Sequence, residues 1–120
     1  MTLAEFKELP QNLLKLKIKS IMFSLGMHEK YIAFEYLSFI LTKLIIEDDD
    51  SLYNYKETLN IMSTKYNITN KTIMQNLNKI LKTCSNLEIK NKMQFNIGSN
   101  SILNKIRVLK HYSQQCLLNS

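Results

Sequence analysis

The sequence predicts a mostly α-helical single domain over residues 1–120: a helix-turn-helix bundle, with a short β-hairpin near residues 87–97 as a candidate wing. Three observations point there. Only 2 Gly and 1 Pro occur in 120 residues, too few for a sandwich or barrel with many tight turns. Apolar residues recur at helical spacing across long windows. Hydrophobic residues make up 45% and charged residues 22%, an ordinary globular balance, and this length buries a core without staples.

The elements follow in chain order. Pro10 marks a break. After it, Leu14-Lys15-Leu16-Lys17-Ile18-Lys19 alternates like a strand, yet Leu14, Ile18, Ile21, Met22 and Leu25 keep helical spacing over a longer window. The longer pattern predicts a helix from Leu13 to Leu25, stopped by Gly26 as a C′ glycine. Residues 28–47 read as a helix with Tyr31, Phe34, Leu37, Ile40 or Leu41, and Leu44 on one face. Ile32, Tyr36, Phe39 and Ile45 widen that stripe, which places this helix at the centre of the bundle. Glu47-Asp48-Asp49-Asp50-Ser51 ends it. Such an acidic run reads as a helix end plus the cap of the next helix. It lacks the glycine and distal glutamate of a calcium loop, so no metal is expected.

Residues 52–66 form the next helix, with Leu52, Tyr55, Leu59, Met62 and Tyr66 inward, and residues 70–84 the one after, with Ile73, Leu77, Ile80, Leu81 and Cys84 inward. Thr69 or Asn70 can cap the latter. The period then changes. Leu87-Glu88-Ile89-Lys90 and Met93-Gln94-Phe95-Asn96-Ile97 both alternate apolar and polar around Asn91-Lys92, which predicts a short hairpin. Ser99 or Asn100 can cap a last helix through about Cys116, with Ile102, Ile106 and Leu109 inward.

Charge is segregated along the chain. The net charge is +6. Residues 1–57 hold nine carboxylates and seven lysines, net −2; residues 58–120 hold nine bases and one carboxylate, Glu88, net +8. Solubility explains excess charge but not its segregation, and a half-chain with this balance is an electrostatic footprint for a polyanion. Nucleic acid fits better than a membrane surface, because no segment joins a basic face to Trp or Phe anchors. No run is long enough for a membrane span, and Met1-Thr2-Leu3-Ala4-Glu5 does not open a signal peptide. Cys84 and Cys116 lack metal-ligand spacing and read as reduced thiols of an intracellular protein. His28 and His111 stand apart from each other, and no phosphate loop or zinc motif occurs. No catalytic constellation and no cofactor are expected.

The two helices around Asn67 meet the demands of a DNA-reading helix-turn-helix. Ser63 supplies a small residue at the crossing, Asn67 tolerates positive φ, and Ile68 pins the turn. Off the core lie Asn70, Lys71, Thr72, Met74, Gln75, Asn78, Lys79 and Lys82. Asn and Gln can bond bidentately to adenine and Thr can touch a thymine methyl, so Asn70, Thr72, Gln75 and Asn78 are the candidate base readers. Lys71, Lys79 and Lys82 would hold phosphates. A plain helical hairpin with a polar face is the bland alternative. Lys90 and Lys92 sit at the expected hairpin tip, where they would touch phosphate or the minor groove, or else guard a solvated edge.

Three stretches carry a family resemblance. Leu25-Gly26 opens a run through Phe34-Glu35-Tyr36-Leu37; Lys65-Tyr66-Asn67-Ile68-Thr69 makes the turn; Asn100-Ser101 opens the last helix. Together they resemble the C-terminal DNA-binding domain of the sporulation master regulator family, stage 0 sporulation protein A. The family has a glycine followed by an aromatic-x-Tyr-Leu helix, a Lys-Tyr-Asn-Thr-Thr turn and an Asn-Ser helix start. The resemblance implies a helical bundle that binds DNA through the helix starting at Asn70, as a transcription regulator. Lys71-Thr72-Ile73-Met74-Gln75-Asn76-Leu77-Asn78-Lys79 stands where the family has Ser-Arg-Val-Glu-Arg-Ala-Ile-Arg-His. The core positions agree and the base-reading ones do not, so a different target sequence is expected. The stretch after Ser85 also alternates where the family is helical.

The expected protein is therefore a sequence-specific binder of double-stranded DNA, reading A·T-rich sites as a homodimer in a bacterial cytoplasm, associated with the nucleoid. Two alternatives stand beside the transcription regulator. One is a plasmid or phage partition protein that coats a repeated centromere. The other is a protein-interaction module that has lost base reading. The last helix and the apolar N-terminal segment are the candidate dimer surfaces.

Overall fold

The computed structural model describes residues 2–94 and 101–119. Its elements are seven helices: α1 (Leu3–Glu8), α2 (Gln11–Ser24), α3 (Ile32–Glu47), α4 (Leu52–Tyr66), α5 (Asn70–Leu81), α6 (Leu87–Gln94) and α7 (Ser101–Leu118). No strand occurs among the described residues, and no described helix is long and apolar enough to cross a membrane.

The wide apolar stripe of α3 does what its width requires. α3 packs against α2, α4, α5 and α7 and buries Ala33, Phe34, Tyr36, Leu37, Ile40, Leu41, Leu44 and Ile45. Leu14, Ile18 and Met22 of α2, Tyr55, Leu59 and Met62 of α4, Ile73, Leu77, Ile80 and Leu81 of α5, and Leu103, Ile106, Leu109 and Leu117 of α7 close around it. They form one contiguous core. Two of the expected inward residues of α3 are not inward: Tyr31 and Ile32 are exposed. Tyr31 is the N-cap rather than a helical position. Ahead of it a turn is held by the Lys30 N–H donating to His28 Nδ1 at 3.2 Å and Tyr31 N–H to the His28 carbonyl at 3.2 Å, so the helix begins four residues later than expected.

Helix ends follow local chemistry. α2 ends in a Schellman motif: the Met27 N–H reaches the Met22 carbonyl at 3.1 Å and the Gly26 N–H the Phe23 carbonyl at 3.0 Å. Gly26 has φ +92°, and a Cβ there would lie 2.5 Å from Ser85 Oγ. α3 ends on Asp48 at φ 52°, whose N–H bonds to Leu44 O at 2.9 Å. Ser51 caps α4 through the Asn54 N–H at 3.1 Å, and Thr69 caps α5 through the Thr72 N–H at 3.2 Å.

The hairpin expected at 87–97, and with it the wing, is corrected: residues 87–94 form α6. The alternating pattern hides a helical one, because Ile89 and Met93 are four apart and both are buried. Asn86 starts the helix, its Oδ1 accepting the Ile89 N–H at 3.1 Å, and the Lys92–Glu88 pair at 3.4 Å spans one turn. α6 packs on α7. Residues 95–97 of the expected hairpin, and the Ser99 or Asn100 cap of α7, lie outside the described residues. α5 also stops at Leu81 rather than Cys84. Beyond it the Ser85 N–H donates to the Leu25 carbonyl at 2.7 Å, which draws the chain out of helical register. α1 was not expected. Its start is a side-chain N-cap, in which Thr2 Oγ1 accepts the Glu5 N–H at 3.2 Å and donates to the Glu5 carboxylate at 3.1 Å.

Candidate nucleic-acid interface

The turn between α4 and α5 has the anatomy that its residue types dictate. Asn67 takes φ 52° and ψ 48° at the end of α4. The Ile68 N–H donates to the Ser63 carbonyl at 3.1 Å and the Asn67 N–H to the Thr64 carbonyl at 3.3 Å, a second Schellman motif. The Ser63 hydroxyl closes the loop by donating to the Ile68 carbonyl. Ser63 is thus both the small residue and a hydrogen-bonding one. Ile68 is half-buried against the core. At the far side, Asn70 Nδ2 donates to Asn60 Oδ1 at 2.8 Å, tying the first residue of α5 back to α4.

This turn presents α5 with a clean division of faces. Ile73, Leu77, Ile80 and Leu81 are buried. Lys71, Gln75 and Lys79, four residues apart, form an exposed outward row with Lys82 beside it, while Asn78 is half-buried at its margin. Thr72 is exposed and its hydroxyl accepts from Thr69 Oγ1 at 3.0 Å. α5 carries no carboxylate. Of the candidate base readers, Asn70, Thr72 and Gln75 are exposed, whereas Met74, expected off the core, is half-buried and packs against it. Asn70 already has a protein partner, which makes it a brace for the turn before it is a reader.

Lys90 and Lys92 sit on α6 rather than at a hairpin tip. Lys92 pairs with Glu88. Lys90 is exposed and lines a cleft of about 270 Å³ with Leu81, Lys82, Met93, Gln94 and Lys105. Lys105 was missed from the sequence, because α7 reads there as an ordinary amphipathic helix and only the packing of α7 on α5 and α6 brings it to Lys82.

The acidic corner after α3 is a site of another kind. Asp50 accepts from Lys110 Nζ at 2.8 Å and from the Tyr55 hydroxyl at 2.9 Å, and His111 Nε2 lies 2.5 Å from its other oxygen. Arg107 Nη2 donates to the Asp50 carbonyl at 2.9 Å and its guanidinium lies over the Tyr55 ring. Burial pushes the Asp50 carboxyl up, but the bonds from Lys110, His111 and Tyr55 outweigh it and hold the carboxyl well below the usual range. Burial and the bond to Asp50 push the Tyr55 hydroxyl up. Asp49 is committed to the same loop, accepting the Ser51 N–H at 2.9 Å. These groups serve the α3–α4 connection and the docking of α7.

Of the two candidate dimer surfaces, α7 spends its apolar residues on the core: Ile102, Val108, Tyr112 and Leu118 pack against it beside the fully buried ones. α2 leaves Leu13, Leu16 and Phe23 exposed.

Comparison with protein families, with curated proteins and with solved structures gives no match.

Proposed function

We propose that this protein binds duplex DNA in a sequence-specific manner, as a transcription regulator, with α5 as the reading helix. One observation carries the reading: a Schellman turn at Asn67 projects a helix whose outward row is Lys71, Gln75, Lys79 and Lys82, with no carboxylate on it. Lysines there would neutralise phosphates and fix register, while Gln75 and Thr72 would meet base edges in the major groove. The preference for A·T-rich sites follows from the amide and hydroxyl chemistry of those readers.

The proposed kinship is with the sporulation master regulator family. The positive φ of Gly26 and Asn67, at two positions that carry the resemblance, supports it. So does the helix at 87–94, which removes one departure from that family's helical pattern. A homodimer through the exposed Leu13, Leu16 and Phe23 of α2 completes the proposal.

The test is selection of random duplex DNA by the purified protein, followed by affinity at two salt concentrations. An enriched A·T-rich motif whose binding weakens with salt is the expected result. Long contiguous repeats of that motif beside a filament-forming NTPase would instead assign the partition role. Absence of DNA binding at low salt, with a stable complex to another protein, would overturn the reading in favour of an interaction module.

A further inference from the structure

Where ammonium groups converge in this fold, a carboxylate normally sits among them. Lys15 at 2.9 Å and Lys19 close on Glu35. Lys110 sits between Asp48 at 3.6 Å and Asp50 at 2.8 Å. Lys43 pairs with Glu47. One convergence breaks the pattern. Lys82 from the end of α5, Lys90 from α6 and Lys105 from α7 line a single cleft with no carboxylate among the described residues of its wall. None of the three forms an ion pair among the described residues. A larger hollow on the outer face of α4, about 850 Å³, mixes both signs with Lys56, Lys65 and Glu57.

Like charges gathered without a counter-ion raise the free energy of the fold. The packing of three helices, not one flexible loop, brings these together. Leu81 and Met93 give the cleft an apolar floor, and Gln94 adds an amide that can donate a hydrogen bond. A volume of about 270 Å³ is below the usual range for cofactor-sized ligands, but it holds a compact anion. Lysine binds phosphate as a point charge from several directions, without the planar geometry that arginine demands.

We propose that the Lys82–Lys90–Lys105 cleft binds a phosphate group. With DNA as its source, this deepens the reading of α5 and rests on it: the cleft seats one backbone phosphate just past the end of the reading helix. A phosphorylated small molecule offers the same chemistry.

The test uses the full chain and two probes. Inorganic phosphate is titrated against a chloride-matched control while amide NMR shifts are followed. Saturable shifts at Lys82, Lys90, Gln94 and Lys105 are expected, with affinity falling about tenfold in Lys105→Gln and in Lys90→Gln. Lys90 is exposed, so its variant keeps the fold, and thermal melting verifies that for both. Random-sequence duplex is the second probe. If the phosphate is DNA's, each variant lowers the slope of log affinity against log salt by about 1. An unchanged slope with the cleft response to phosphate lost in the variants would support the site and assign it to a free phosphorylated ligand. A cleft response without any DNA binding would likewise support the site while overturning the reading of α5. No saturable shift at the cleft, together with unchanged DNA slopes in both variants, would overturn the cleft and leave the α5 reading standing.

Discussion

The acidic corner after α3 and the outward face of α5 each gather three basic side chains and use them in opposite ways. At the corner, Arg107, Lys110 and His111 of α7 are all spoken for by Asp50, and Lys110 is only 2% exposed. On the face, Lys71, Lys79 and Lys82 are exposed and have no acid on their helix. Charges of the first kind are part of folding; their partners lie in the same chain. Charges of the second kind make no ion pair among the described residues and leave their field outside the fold. The pooled charge of residues 58–120 therefore overstates the surface field, because α7 spends much of its share on Asp50.

The largest effect is expected where that corner is broken. Asp50→Ala should lower the unfolding free energy by about 2–3 kcal/mol, measured by urea denaturation. The loss stays below that for a fully orphaned buried charge because Asp48 remains 3.6 Å from Lys110. DNA affinity should not change. The same site sets an acid limb. The folded Asp50 carboxyl is depressed relative to its unfolded value, so its stabilisation is fully present above about pH 4 and is lost as pH falls further. Asp50→Asn should flatten stability against pH across that range.

On the other side, Gln75→Ala should cost about 1–3 kcal/mol at one base position and relax the preference there. Stability should hold, since the side chain is exposed; an unchanged selection profile would remove Gln75 from its role. Lys79→Gln should weaken DNA binding uniformly across sequences and reduce the salt slope by about 1, with no loss of thermal stability. A melting point that drops in this variant would erase the contrast between the two regions. The smallest effect is expected at the turn. Asn67→Gly should change stability by no more than about 1 kcal/mol, because glycine accepts φ 52° without a Cβ conflict.

Most of the architecture could be read from spacing alone. The wide stripe of α3 announced a central helix, and Ile73, Leu77, Ile80, Leu81 and Cys84 were all correctly placed inward. Turn chemistry was equally legible: Gly26 and Asn67 both take positive φ where they were expected to. The largest misreading has a tertiary cause. Leu87 to Gln94 is short, and a period of two and an i, i+4 pair can coexist in eight residues. Burial of Ile89 and Met93 against α7 decides between them, and that contact is tertiary. The signal for a helix was present in Asn86 as a cap. Thr2 and Glu5 gave a similar signal for α1. For the candidate site, the row on α5 was visible in the sequence because one helix contains it. The cleft was not, because Lys82 and Lys105 meet only through packing. Lys92, two positions from Lys90, lies on another side of α6, beside Val108, His111 and Tyr112 of α7, and pairs with Glu88.

The anchoring of α5 at both ends has a thermodynamic consequence. Its first turn is fastened by the Thr69 cap and the Asn70–Asn60 bond. Its far end is fastened by Ser85, whose N–H and hydroxyl both donate to the Leu25 carbonyl, at 2.7 and 3.1 Å, across 60 positions of sequence. A ligand of this helix meets a rod already set in place. If α5 is the contact surface, association is expected to carry no entropy of folding for this helix, and its heat-capacity change should report the surface that the two partners remove from water. Recognition through α5, as proposed, would then be a matter of docking, with the cost of ordering met when the chain folds.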